Sequence, residues 1–207
     1  MLTKIFSDLF VRNPHCRQLI FTMLLAFCST YAVADDFYQK FSNAAISLTK
    51  EQVTYDPRYF SIQYPNGDVP RNKGVCTDVV IRAYRKLGID LQKGVHEDMV
   101  KNFSKYPKSW GLKRTDTNID HRRVPNLQVF FTRYGHKLAV TDNPQDYKTG
   151  DIVTWMIQDR LPHIGIVSHV KTQDNRRPMV VHNVGAGQVL EDFLFEYPIT
   201  GHYRYRQ

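Results

Sequence analysis

Gly150-Asp151-Ile152-Val153-Thr154-Trp155-Met156-Ile157 marks the point where this chain changes character. A glycine-acid turn leads into a β-branched and aromatic run, the composition of a buried strand. Upstream, apolar residues recur at helical spacing. Phe37, Phe41, Ala44, Ala45 and Leu48 predict an amphipathic helix over 36–49. Val79, Val80, Ala83, Tyr84 and Leu87 predict a second over 76–87, with Gly88 as its stop. Further helices are expected over 97–103 and 125–134, the latter with proline at its start. Downstream, runs at 163–168, 179–184 and 199–205 read as further strands. Helices first and an antiparallel sheet after them predict an α+β domain, with the 76–87 helix packed on the sheet.

The N-terminal residues read as an export leader. Lys4, Arg12 and Arg17 precede a short apolar run from Leu19 to Cys28, and Ala32-Val33-Ala34 ends the segment with a small-x-small pattern. The expectation is a signal peptide over 1–34, cleaved after Ala34, and one domain over 35–207 in the periplasm or secreted. The apolar run is too short to span a bilayer comfortably, so no stable membrane span is expected after processing. The leader holds three of the 28 Lys and Arg and one of the 20 Asp and Glu, which leaves residues 35–207 with a net charge of +6. That charge suits anionic wall polymers and also an ordinary basic protein. No basic run interleaved with aromatics and no zinc-finger spacing is present, so nucleic acid is not an expected partner.

Cys16 and Cys28 fall in the leader, and Cys76 alone remains in 35–207. A lone cysteine in an exported protein has no internal disulfide to form, which leaves a buried apolar residue or a nucleophile. Two later segments favour the nucleophile: Leu161-Pro162-His163-Ile164-Gly165-Ile166-Val167 and Val180-Val181-His182-Asn183. Cys76 at a helix start would have its pKa lowered by the helix N-terminus, and its backbone N–H could donate to an oxyanion. His163 would take the thiol proton, and His182, or Asn183 in second place, would orient the imidazole. For His163 to stand opposite His182, the hairpin must be centred between Thr172 and Gln173, through a wide or bulged loop. A tight turn at Asp174-Asn175 would put Val167 opposite His182 and part the histidines by about 13 Å. Metal binding is the competing use of histidine. However, His163 and His169 lie about 20 Å apart along a strand, and no compact His-x-x-His or second cysteine occurs. Neither a metal nor a cofactor is expected.

These segments resemble the NlpC-type papain-like cell-wall peptidases: a glycine and Val75-Cys76 opening a helix, Gly150-Asp151-Ile152-Val153 leading a strand, then Pro162-His163-Ile164-Gly165-Ile166-Val167 and Val181-His182. The resemblance implies a papain-like fold, a triad of Cys76, His163 and His182, and amide hydrolysis in peptidoglycan peptides. The chain departs from that pattern, with Val75 where the family has Asp and Thr77-Asp78 where it has Ser-Gly. The family's oxyanion tyrosine has Tyr55 and Tyr64 as candidates here, and Asp78 and Asn183 are further candidates for support. Longer strings resemble a YijF-like exported bacterial family of unknown function. They are Gly74 to Tyr84, Val95-His96-Glu97-Asp98-Met99, Asn118 to Leu127 and Tyr197-Pro198-Ile199-Thr200-Gly201-His202-Tyr203. The distinctive loop His121-Arg122-Arg123 is a candidate for substrate binding. Two other functions stay open: a thiol-dependent acyltransferase, and an envelope-binding module without catalysis.

Overall fold

The computed structural model describes residues 36–207; the leader, its cleavage site, Cys16 and Cys28 lie outside the described residues. The first helix, α1, covers residues 36–48. Strands β1 (Thr54–Tyr55) and β2 (Lys73–Gly74) pair in parallel and bracket the loop that leads to α2 (Cys76–Arg85). Then come α3 (Leu91–Asn102), α4 (Val124–Tyr134) and β3 (His136–Lys137). The sheet is completed by β4 (Ile152–Ile157), β5 (Leu161–Lys171), β6 (Pro178–His182), β7 (Val189–Glu191) and β8 (Ile199–Arg204). Its six strands run in the order β3-β8-β4-β5-β6-β7, and every neighbour is antiparallel. The architecture is α+β, as the sequence predicts. Among the described residues, no helix is long and apolar enough to cross a membrane.

Helix α2 starts where expected because Asp78 closes its first turn. The Asp78 carboxylate accepts the Val75 N–H at 2.7 Å, one of the donors that a helix leaves unpaired at its start. Its apolar stripe buries Val79, Val80, Ala83 and Tyr84. Tyr84 lies at the centre of this layer, stacked on Phe41 at 4.1 Å and edge-on to Tyr205 at 5.6 Å. Helix α3 begins at Leu91, ahead of the predicted start at 97, because the Asp90 side chain accepts from the Lys93 N–H at 3.1 Å and caps it there.

Strand alternation divides the sheet into two faces. Ile152 stands opposite both Tyr203 and Ile166, and Ile166 opposite Val181; this row faces the helices, and Tyr203 meets Phe131 of α4. The other face carries Val153, Trp155, His163, Val167 and Val180, packed with Tyr147, Phe193 and Leu194. Trp155 donates its indole N–H to the Leu194 carbonyl at 2.9 Å, so the segment after β7 closes that face. Asp151, read from sequence as a turn residue, is buried and holds the sheet together. It bonds His202 Nε2 and Arg204 Nε, each at 2.7 Å, and the Lys148 N–H at 2.7 Å.

At its tip the β5–β6 hairpin has the register of the Asp174-Asn175 turn, with Lys171 opposite Pro178, but beside the histidines it differs from both registers the sequence allows. Ile166 pairs with Val181 and Val167 with Val180, which puts His182 level with Gly165. A bulge between Val167 and Lys171 shifts the register by two before the turn, where Lys171 pairs with Pro178. The expected wide loop centred between Thr172 and Gln173 is replaced by a bulge within the strand, and the expected direct opposition of His163 and His182 by a diagonal one. An even offset keeps both side chains on one face, where diagonal neighbours remain within reach of long side chains.

Candidate active site

Cys76 is the first residue of α2 and is 6% exposed. The backbone N–H groups of Ile164, the residue after His163, of Thr77 and of Cys76 itself act on its thiol and favour the thiolate. Ile164 lies one residue beyond the point where β6 ends in register, so the thiol enters at the end of the hairpin. The sequence predicts a lowered thiol pKa; the structure reverses this. Burial pushes the Cys76 thiol up to about 12, against the smaller lowering by those backbone groups. The magnitudes explain the outcome: a helix N-terminus contributes about one pKa unit, whereas full burial shifts a group by up to about 3–5 units. Cys76 is a neutral thiol at rest.

The two histidines are brought together. His163 Nε2 and His182 Nδ1 lie 3.0 Å apart, and His182 Nε2 lies 3.3 Å from Glu191 Oε2. This chain assigns the protons. The Glu191 carboxylate only accepts, so His182 Nε2 carries a hydrogen and, in the neutral ring, Nδ1 accepts from His163 Nε2–H. His163 Nδ1 is left as a bare lone pair, the form a general base requires. Burial, and then His182, lowers His163 to about 3; burial also lowers His182, against the raising effect of Glu191. Gly165 makes the diagonal contact fit. A Cβ there would lie 2.7 Å from Val180 Cγ1 and 3.2 Å from His182 Cβ. Among the described residues, no hydrogen bond joins either imidazole to the thiol.

The other candidates separate. Tyr55 lines the cleft at Cys76, and its phenol is raised by burial first and then by Cys76 and Asp78. Tyr64 lies elsewhere, edge-on to His96 at 5.3 Å. Asn183 does not orient His163. It donates from Nδ2 to the Gly74 carbonyl at 3.4 Å and ties the end of β6 to the chain before Cys76. Asp78, besides capping α2, accepts from Arg122 Nε and Nη2 at 2.9 and 3.0 Å. Arg122 is therefore a supporting residue, its cation already paired. His121 is buried and lowered to about 3 by burial and then by Arg122; it does not line the cleft. That corrects its reading as a substrate-binding residue. Arg123 does line it, half-buried, with its guanidinium 4.5 Å from the centre of the Trp110 ring.

The cleft holds about 560 Å³, with Val75, Cys76, Thr77 and Val124 on one side and Arg160, Leu161 and Pro162 on another. Trp110, which lines the cleft, and Glu191, which bonds His182, are the residues of this site that sequence reading missed. The only local signal for Trp110 is an aromatic residue next to Gly111 in a polar loop; Glu191 sits on a three-residue strand. Among the described residues, no group of His, Cys, Asp and Glu is arranged to hold a metal.

Fold and cleft thus define an α+β protein with a buried cysteine at a helix start and a paired-histidine relay in its sheet. Residues 42–205 match the model of the family described as "Domain of unknown function (DUF1287)", and the chain belongs to that family. It is 55% identical over 151 residues, 73% of each chain, to "Uncharacterized protein YijF" of Escherichia coli (strain K12).

Proposed function

We propose that the protein is an exported cysteine hydrolase of the NlpC-type papain-like class that cleaves an amide bond in peptidoglycan peptides. The observation that carries this reading is the Glu191–His182–His163 chain, which leaves His163 Nδ1 unprotonated on the residue next to the amide where the Cys76 thiol rests. The resting pair is neutral, so proton transfer accompanies attack. Cys76 Sγ bonds to the substrate carbonyl carbon as its proton passes to His163 Nδ1. The Cys76 N–H and the Tyr55 hydroxyl donate to the oxyanion. His163 returns the proton to the leaving amine, the C–N bond breaks, and a thioester remains on Cys76. Water, deprotonated by His163, then releases the acid and restores the thiol. At rest the imidazole packs on Trp155 and Phe193, on the sheet face away from the helices, so substrate has to bring sulfur and imidazole into hydrogen-bond contact.

The test is mass spectrometry of purified peptidoglycan after incubation with wild type, Cys76→Ala and His163→Gln. New amine and carboxyl termini made by wild type alone support the hydrolase. An unchanged digest with folded wild type removes it. A second reading, an envelope-binding module that has lost catalysis, draws on one observation: the buried thiol has no hydrogen bond to either imidazole. It requires sacculus binding that Cys76→Ala leaves intact, with no new termini.

A further inference from the structure

Arg122 and Arg123 are adjacent and chemically identical, yet the fold treats them oppositely. Arg122 is saturated, with Asp78 on two nitrogens and the Arg58 carbonyl 3.3 Å from the third. Arg123 has no ion pair and no side-chain hydrogen bond among the described residues, and its Nη1 is buried without a partner. Its nearest acids make their bonds elsewhere, and Asp120 Oδ1, buried without a partner, makes none to it. Asp120 bonds His96 at 2.9 Å and the Asp116 N–H at 2.8 Å, and Asp116 bonds Tyr59 and the Asn118 N–H. No Asp or Glu lines the cleft among the described residues, whereas Arg122, Arg123 and Arg160 all do.

The second observation is Trp110. It is 58% exposed, with φ 65° and ψ 19°, a left-handed backbone that is unfavourable for a bulky side chain. Strain of this kind is kept where surrounding structure holds it, commonly at ligand sites. Here it sets an indole face against the Arg123 guanidinium. A stacked guanidinium presents its N–H edge outward, and two parallel N–H donors match the two oxygens of a carboxylate.

The geometry points to Arg123 as the residue that reads a carboxylate on the substrate, beside the amide attacked by Cys76. This rests on the hydrolase reading above and narrows its substrate to peptides with a free carboxylate near the scissile bond. The carboxylate pairs with the Nε and Nη2 edge, which among the described residues is neither bonded nor buried, while Nη1 stays buried and Trp110 packs against the guanidinium. Arg123 is thus a specificity residue, separate from the histidine relay.

The test uses Cys76→Ala protein, so that binding is read without turnover, and follows tryptophan fluorescence. The probes are a cell-wall stem tetrapeptide with its carboxylates free and the same peptide with every carboxylate amidated. The free form is expected to bind at least about tenfold tighter. Arg123→Met should abolish that preference, and Arg123→Lys, which keeps the charge and loses the fork, should retain part of it. Equal binding of both peptides, or of neither, overturns the inference. A preference that survives Arg123→Met does so as well and moves the role to Arg160. Inorganic phosphate displacing the peptide with the same dependence on Arg123 overturns the choice of a carboxylate. Preference without cleavage by wild type sinks the hydrolase alone; cleavage without preference sinks this inference alone.

Discussion

Asp78 and Arg122 form a two-point ion pair, at 2.9 and 3.0 Å, beneath the first turn of the cysteine helix, with both side chains at least 97% buried. One carboxylate thereby caps α2 and fastens it to the loop that also carries Arg123.

Removing one partner of a buried pair strands the other charge. Arg122→Met is therefore expected to cost about 3–5 kcal/mol. The double variant with Asp78→Asn should cost less than the sum of the single ones, because neither charge is then stranded. Urea denaturation of the three variants is the measurement, and a loss under about 1 kcal/mol for Arg122→Met would show that the pair is not structural.

Burial lowers His121 and His163 to about 3 from 6.5. Both groups thus bind protons more readily in the unfolded chain. Their effect on stability is absent above about pH 6.5 and grows unfavourable as pH falls from there toward 3. The urea midpoint should decline from pH 7 to pH 4, and His121→Gln should flatten that decline. A slope unchanged by the substitution would refute the buried neutral imidazole.

Gly165→Ala places a methyl group against Val180 and His182. It is expected to destabilise the protein by about 1–3 kcal/mol, as overpacking does, and to displace the His182 ring. Imidazole nitrogen shifts of His163 and His182 report the outcome. Shifts identical to wild type would mean that the glycine is not what seats the pair.

A thiol raised to about 12 by burial should alkylate slowly in the free protein. With iodoacetamide at pH 8, Cys76 is expected to react more slowly than a small-molecule thiol, and His163→Gln should change that rate little. Labelling faster than the free thiol would reveal a thiolate and an ion pair at rest.

Much of this was legible in the sequence, and the failures have physical causes. Helix α2 and strand β4 were readable because each announces itself locally, through an apolar stripe or a β-branched run. Strands β1, β2, β3 and β7 have two or three residues each and carry no periodicity to read. The histidine pair is expected from sequence as a direct opposition and found as a diagonal one; the actual register depends on Gly165 and on a bulge that no local pattern marks. The thiol's pKa was misjudged because a helix start is visible in sequence and depth of burial is not. Likewise, three neighbours in His121-Arg122-Arg123 look alike as text. Only partners 44 residues away, at Asp78, and at Trp110 assign one to the core, one to an ion pair and one to the cleft.

The bulge between Val167 and Lys171 also decides where the protein tolerates change. It lies between the hairpin tip and the histidines, so the tip can gain or lose residues while the pairing at Ile166 and Val181 stays in step. The exposed residues 173–176 are therefore a natural attachment point: an epitope or a fluorophore grafted there would report on this molecule without retuning its interior.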